Sequence, residues 1–271
     1  MLWSTRRPIV RLGLGTVVAL AVILIAGCAG PQPAADPYTL VTNSVDVEVA
    51  RDYLLLVPRS ELGGRQSAVE SQGLIFIPGG LVEPGAYLTL LVPIAESGYP
   101  VIITRPLADL AILSANQTTR VLKSLTRNHP ELSQSVAGWA IGGHSLGGVT
   151  AARYVARKVI PDLPTSLING LVLLAAYPSS SDDLSTSGFP VLSVSASEDQ
   201  LTTQTDIEES RALLPPDTAF VTIQGGNHAG FGDYGVQDGD GDRRISLEDQ
   251  HSQIRDLLLR FLGELVQTSA D

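Results

Sequence analysis

The chain has a single cysteine in 271 residues. That excludes an intramolecular disulfide, a CxxC redox pair and a cysteine-rich zinc site. Basic residues are outnumbered by acidic ones, 18 to 28, for a formal net charge of −10. No diffuse phosphate-binding surface is available, so nucleic acid is not expected as a partner. Charged residues make up only 17% and hydrophobic ones 44%. That composition excludes a disordered or collagen-like chain and leaves ample apolar material for a core. The N-terminal uncharged apolar run, 12–26, has 15 residues, against the roughly 20 of a comfortable membrane span.

That run has the layout of an address. Arg6, Arg7 and Arg11 precede it without any acid, and it ends at Ile25-Ala26-Gly27-Cys28. A basic start followed by a short apolar stretch is the pattern of an export signal. The closing tetrapeptide resembles the lipobox of bacterial lipoproteins, whose cysteine becomes the lipidated first mature residue. The expectation is a signal peptide over 1–27, a lipidated N-terminus and tether over 28–40, and a folded domain over 41–271. Cleavage before Cys28 leaves 244 residues and a formal charge of −13. An uncleaved anchor is the other reading. Both place the domain outside the cytoplasm, because arginines favour the inner side. Thr5-Arg6-Arg7 fits twin-arginine export only loosely, since the usual Phe-Leu is missing.

The remainder alternates short apolar runs with amphipathic stretches. Strands are expected over 45–49, 53–57, 74–77, 101–104, 139–142, 171–175, 191–194 and 220–223. Helices are expected over 84–97, 114–128 with Ser114 as N-cap, 146–159, 206–214 and 247–266. The first two strands suit a hairpin. The later ones are apolar throughout and separated by helices, which implies a mostly parallel sheet covered on both faces. Binding sites in such sheets lie at the carboxyl ends of the strands.

Chemistry concentrates in those strand-end loops. Gly143-His144-Ser145-Leu146-Gly147, flanked by Gly142 and Gly148, sits between a strand and a helix. This is the setting of a nucleophile elbow, where a serine on a strained turn exposes its hydroxyl. A serine needs a base. Of the four histidines, His144 adjoins the serine and reads as packing, while His129 and His251 read as surface. His228, in the glycine-flanked loop after the last strand, is the best base. A carboxylate must orient it. Asp199 is favoured, with Glu198, Asp182 and Asp183 as alternatives. The oxyanion needs two N–H donors. Leu146, the residue after the serine, supplies one. The loop Pro78-Gly79-Gly80-Leu81 supplies the other; Pro78 has no N–H, which leaves Gly80 or Leu81.

The stretches FIPGGLVEPGAY, GGHSLGG, VLSVSASED and GGNHAGFGDYG resemble the α/β-hydrolases, and more narrowly the small cap-less members related to dienelactone hydrolases. The order Ser145, Asp199, His228 matches that family's order. The resemblance implies an α/β fold with a mostly parallel, roughly eight-stranded sheet and helices on both faces. It also implies carboxylic-ester hydrolysis through a serine acyl-enzyme, with no cofactor. Pro78 departs from the His-Gly of many relatives. Only 176–188 separates two expected strands where many relatives insert a lid, so no lid domain is expected and the site should be open.

One acidic stretch points elsewhere. Asp238, Asp240, Asp242 and Asp249 stand at positions 1, 3, 5 and 12 of a calcium-type loop, with Ile245 at position 8. Arg243 occupies position 6, where the sharp turn wants glycine. A solvated acidic loop ahead of the last helix is the competing reading. The leading expectation is thus a tethered serine hydrolase acting on small esters or thioesters. A non-catalytic binding lipoprotein and an acyltransferase with the same triad are the alternatives.

Overall fold

The computed structural model describes residues 44–59, 71–111, 116–157 and 167–269. The expected signal peptide, Cys28, the tether and the Ser114 cap lie outside the described residues. Eight strands form one sheet: β1 (Val45–Val49), β2 (Tyr53–Pro58), β3 (Ser71–Ile77), β4 (Val101–Thr104), β5 (Val136–His144), β6 (Ile168–Leu174), β7 (Val191–Ala196) and β8 (Ala219–Ile223). Their spatial order is β1-β2-β4-β3-β5-β6-β7-β8. β2 pairs antiparallel with β1 and β4, and every pair from β4 to β8 is parallel.

Alternation along the strands sorts side chains between two cores. Leu74 and Phe76 of β3 face one side, with Leu54, Leu56, Val172 and Val194. Ile75 and Ile77 face the other, with Leu55, Ile141, Leu171 and Leu173. The first core is closed by α1 (Leu88–Glu96) and by α6 (Leu247–Ser269), which contributes Ile254, Leu258 and Leu262. The second is closed by α2 (Gln117–Asn128), through Val121, Leu122 and Leu125, and by α4 (Leu146–Ala156), through Ala151 and Ala152. Each such buried aliphatic side chain contributes roughly 1.5–3 kcal/mol. The short α3 (Pro130–Ser135) and α5 (Gln204–Ser210) complete the helices named here.

Several boundaries differ from expectation. The stretch read as a helix from 84 opens as a tight 3₁₀ turn, Pro84–Tyr87, before α1. Pro84 suits such a first turn because its missing N–H would be unpaired there anyway. β3 starts at Ser71 rather than 74. There buried Gln72 exchanges two hydrogen bonds with Asn169, at 2.7 and 2.9 Å, a polar pairing that apolar periodicity does not register. α5 starts at Gln204 rather than 206, because Thr203 and Asp206 form a capping box. The α4 helix ends at Ala156 with Arg157 as its cap. Residues 175–190 between β6 and β7 carry no helix or strand.

The strand registers align one edge of the sheet. Ile77 pairs with Gly143, His144 with Leu174, Leu174 with Val194, and Ala196 with Ile223. The loops that leave this edge carry Pro78–Leu81, Ser145, Asp199 and His228.

Candidate active site

Ser145 sits between β5 and α4 with φ 52° and ψ −123°, a conformation costing a non-glycine residue on the order of 1–3 kcal/mol. Its surroundings hold it there. Its N–H donates to the Leu174 carbonyl at 2.9 Å. Gly143 and Gly147 allow β5 and α4 to press against the end of β3. A Cβ on Gly147 would lie 2.0 Å from the Ile77 carbonyl oxygen, and one on Gly143 would lie 2.3 Å from the same atom. Leu81 (φ 62°) and Ala175 (φ 46°) are also in left-handed conformations. Both follow strands on the same edge, so backbone strain gathers where the loops converge.

The loops after β7 and β8 bring Asp199 and His228 together. Nδ1 of His228 lies 2.9 Å from Oδ2 of Asp199, with both side chains buried. Oδ1 of Asp199 accepts the N–H groups of Leu201 at 2.8 Å and Thr202 at 2.7 Å. With the carboxylate accepting at Oδ2, the His228 proton belongs on Nδ1 and Nε2 is left as the free basic atom. The His228 ring stands 4.5 Å, centroid to centroid, from the ring of His144, the residue preceding Ser145.

The alternative carboxylates are engaged elsewhere. Glu198 pairs with Arg244 at 3.1 Å. Asp182 is buried against Arg153 of α4, and Asp183 accepts the Ser185 N–H. Opposing desolvation, the Ser179 hydroxyl and the two arginines Arg153 and Arg157 hold the Asp182 carboxyl below its ordinary range.

In the loop after β3, Gly80 and Leu81 differ. The Leu81 N–H donates to the Asp109 carbonyl at 2.8 Å. The Gly80 N–H meets no acceptor among the described residues. Gly80 packs beside Leu146, whose Cδ2 lies 3.0 Å from the place a Cβ would occupy. Leu146 opens α4, where the first-turn N–H groups have no intrahelical partner.

Two histidines expected to be inert behave differently. His251, expected at the surface, is 1% exposed in α6. Burial, with Arg255 and Arg243 adding and Glu248 opposing, lowers it to about 4. His144 is buried and hydrogen-bonded rather than merely packed, with Nδ1 2.9 Å from the Tyr87 hydroxyl. His129 is partly buried against Glu48, 3.1 Å away.

The acidic stretch after β8 is not arranged as a metal cage. Asp240 turns toward the His228 loop: Oδ1 accepts the His228 N–H at 3.2 Å and the Gly241 N–H at 2.8 Å, and Oδ2 accepts the Ala229 N–H at 2.8 Å. Asp249 bonds the Ser246 hydroxyl at 2.7 Å at the start of α6. Asp238 and Asp242 are exposed. Among the described residues no three His, Cys, Asp or Glu side chains group to hold a metal ion.

Further supports escaped the sequence reading. Buried Gln250 of α6 accepts the Asn227 N–H at 3.2 Å and donates to the Asn227 carbonyl at 2.9 Å. The Asn227 side chain accepts the Gly230 N–H and donates to the Gly241 carbonyl. Only Asn227, beside His228, carried any local hint of this bracing.

Comparisons with known proteins agree with this architecture. A profile of the alpha/beta hydrolase family matches residues 73–252. Thermogutta terrifontis esterase 2 phosphorylated by paraoxon superposes with a TM-score of 0.54 at 15% identity, covering 82% of this chain and 96% of that one. The same organism's Est2 with propionate bound gives 0.53 at 13% identity, over 82% and 96%. An alpha-beta serine hydrolase homologue from Coxiella burnetii gives 0.53 at 15% identity, over 82% and 98%. At such identities the likeness is one of fold. No curated protein sequence matches the chain. The profile spans well over half of the sequence, and the chain belongs to the alpha/beta hydrolase family.

Proposed function

We propose that the protein is a serine hydrolase of carboxylic esters or thioesters. The observation that carries this reading is the buried 2.9 Å contact between His228 Nδ1 and Asp199 Oδ2, with the His228 ring beside the strained Ser145 elbow. Esterases among the solved structures of similar fold support the same chemistry. Ser145 Oγ attacks the ester carbonyl carbon while His228 Nε2 takes its proton. The carbonyl π pair moves to oxygen, and the N–H groups of Leu146 and Gly80 hold the oxyanion. Collapse of the tetrahedral adduct breaks the bond to the alcohol, which leaves with the proton from His228. Water, deprotonated by His228, then attacks the acyl-serine, and the second tetrahedral adduct breaks its bond to Ser145 Oγ, which takes the proton back from His228 as the acid leaves. Asp199 keeps His228 in the right tautomer and balances its transient charge.

We further propose that the enzyme works outside the cytoplasm on a lipid tether at Cys28. The support is the arginine-led apolar run ending in Ile25-Ala26-Gly27-Cys28. Wild-type protein should incorporate labelled fatty acid and begin at Cys28, and Cys28→Ala should lose the lipid label and the cleavage; wild-type protein that takes up no lipid would refute the tether.

The catalytic reading is tested on protein starting after Cys28. A fluorophosphonate should label Ser145 alone, as mapped by mass spectrometry, and Ser145→Ala should abolish both labelling and ester turnover. No labelling of folded protein would favour a non-catalytic binding protein on the same fold. Labelling with acyl transfer to an added alcohol that outruns hydrolysis would make it an acyltransferase.

A further inference from the structure

Tyr87 and His144 form a buried polar pair that the mechanism above does not use. Tyr87 is completely buried, and its hydroxyl oxygen accepts the Gly79 N–H at 2.9 Å. The same hydroxyl lies 2.9 Å from His144 Nδ1. Its proton must go to an acceptor. If Nδ1 carried a hydrogen and donated to the phenol, two buried groups would go unpaired, the hydroxyl proton and the Nε2 lone pair; with Tyr87 donating, only the Nε2 hydrogen lacks a partner. Tyr87 therefore donates to Nδ1, and His144 carries its proton on Nε2. Burial and the nearby His228 hold the His144 imidazole well below its ordinary range, opposed by the His228 main chain. Burial pushes the Tyr87 phenol up. Both groups stay neutral.

The location of the pair gives it a task. The two oxyanion donors lie on separate pieces of chain, Leu146 on the elbow and Gly80 in the loop after β3. The β3–β5 pairing stops at Ile77 and Gly143. Pro78 cannot donate, so Gly79 is the first residue past the ladder whose N–H can tie the loop down. That N–H runs through Tyr87 to His144, the neighbour of Ser145. The contact is tight: a Cβ on Gly79 would lie 3.0 Å from His144 Nδ1 and 3.1 Å from the Tyr87 hydroxyl.

We propose that Tyr87 and His144 are positioning residues of the oxyanion hole, whose chain of hydrogen bonds from Gly79 N–H through the Tyr87 hydroxyl to His144 Nδ1 fixes the direction of the Gly80 N–H against the elbow. The inference rests on the acyl-transfer reading given above. It also explains why this imidazole is neutral: a second cation 4.5 Å from the His228 ring would oppose the charge His228 acquires when it takes the serine proton.

Tyr87→Phe tests it, because the ring and its packing stay while the hydroxyl goes. The kcat for a p-nitrophenyl ester should fall about tenfold to a hundredfold, with KM within about twofold, since an oxyanion interaction acts mainly in the transition state. His144→Leu should show the same loss, and Tyr87→Phe/His144→Leu no more than either alone. His144→Asn, whose Oδ1 replaces Nδ1 as acceptor, should retain most of the rate. Nitrogen NMR of the wild type should find His144 protonated at Nε2. A full rate in folded Tyr87→Phe, or a wild-type His144 protonated at Nδ1, would overturn the inference while leaving the hydrolase reading intact. Wild-type protein that neither labels at Ser145 nor turns over esters would bring down both.

Discussion

The two walls beside Ser145 are built from different materials. On the β3 side the proposed donors are the main-chain N–H groups of Gly80 and Leu146, beside the neutral Tyr87 and His144. On the β7–β8 side they are carboxylates. Asp199 holds the His228 ring, and Asp240 holds the main chain beneath it. The difference matches the charges that the proposed acyl transfer would create. Negative charge develops on the substrate oxygen, where preorganised dipoles stabilise it with no counter-ion to disturb. Positive charge develops on the imidazole, where a fixed anion stabilises it. A charged residue on the first wall, or a neutral one on the second, would work against the reaction.

Asp199→Asn strikes this division hardest. Oδ1 of Asp199 accepts two main-chain N–H groups, so an asparagine should keep its oxygen there and turn its NH₂ toward His228. That amide can only donate to Nδ1, which drives the His228 proton to Nε2 and blocks the base. The kcat should fall on the order of 10⁴-fold with little change in melting temperature. A loss below about tenfold would mean that the second wall does not need its anion. Gly147→Ala attacks the seam of the first wall. Its methyl would enter the Ile77 and Pro78 carbonyls at 2.0 and 2.5 Å, backbone that cannot step aside. The expected cost is about 3 kcal/mol or more in denaturant unfolding, with slowed Ser145 labelling in whatever remains folded. Full stability and full labelling would show that the approach of α4 to β3 is looser than its geometry.

The two walls also differ in how much of them a linear reading recovers. Strand alternation reveals the sheet, because side chains such as Leu74 and Ile75 declare their opposite faces locally. The glycines around Ser145 declare the elbow for the same reason. Asp199 and His228 each follow an apolar strand, so their meeting could be anticipated from position. The Tyr87–His144 bond joins residues 57 apart, and no spacing rule connects them. His144 looked like filler and His251 like surface, since a lone histidine in a glycine turn or a helix carries no local mark of burial. Asp240 is a different case. Its alternation with glycine and two further aspartates fits a cation loop, yet the fold turns its oxygens to the His228 and Ala229 amides. Residue type and spacing specify a capacity to accept; the third dimension chooses the donor.

Acid should weaken the second wall through α6. His251 neighbours Gln250, which braces Asn227, and is held at about 4 from an ordinary 6.5. The unfolded chain therefore binds the proton first as pH falls. The stability from keeping His251 neutral is complete above about pH 6.5 and is lost as pH drops toward 4, at most about 3 kcal/mol. Melting temperature should decline over that window in the wild type, and His251→Gln should flatten the decline, leaving the part due to His144. An identical slope in His251→Gln would remove α6 from this account.

The smallest effects separate a carboxylate clamp from a cation site. Asp240→Asn keeps the shape but can satisfy only one side of the N–H set with its single amide oxygen. The kcat should fall about tenfold, the scale of one charge-assisted hydrogen bond, with KM unchanged. Calcium or chelator should then shift the melting temperature by less than about 1 °C, because ligand-driven stabilisation requires binding to the folded state. The reason is directional. Four N–H dipoles, those of Gln200, His228, Ala229 and Gly241, already point their positive ends at the Asp240 carboxylate, and a cation placed there would meet them head-on. A rise of several degrees with calcium, lost in Asp240→Asn, would mean the ion displaces those donors, and the second wall would then owe its rigidity to a metal rather than to its own amides.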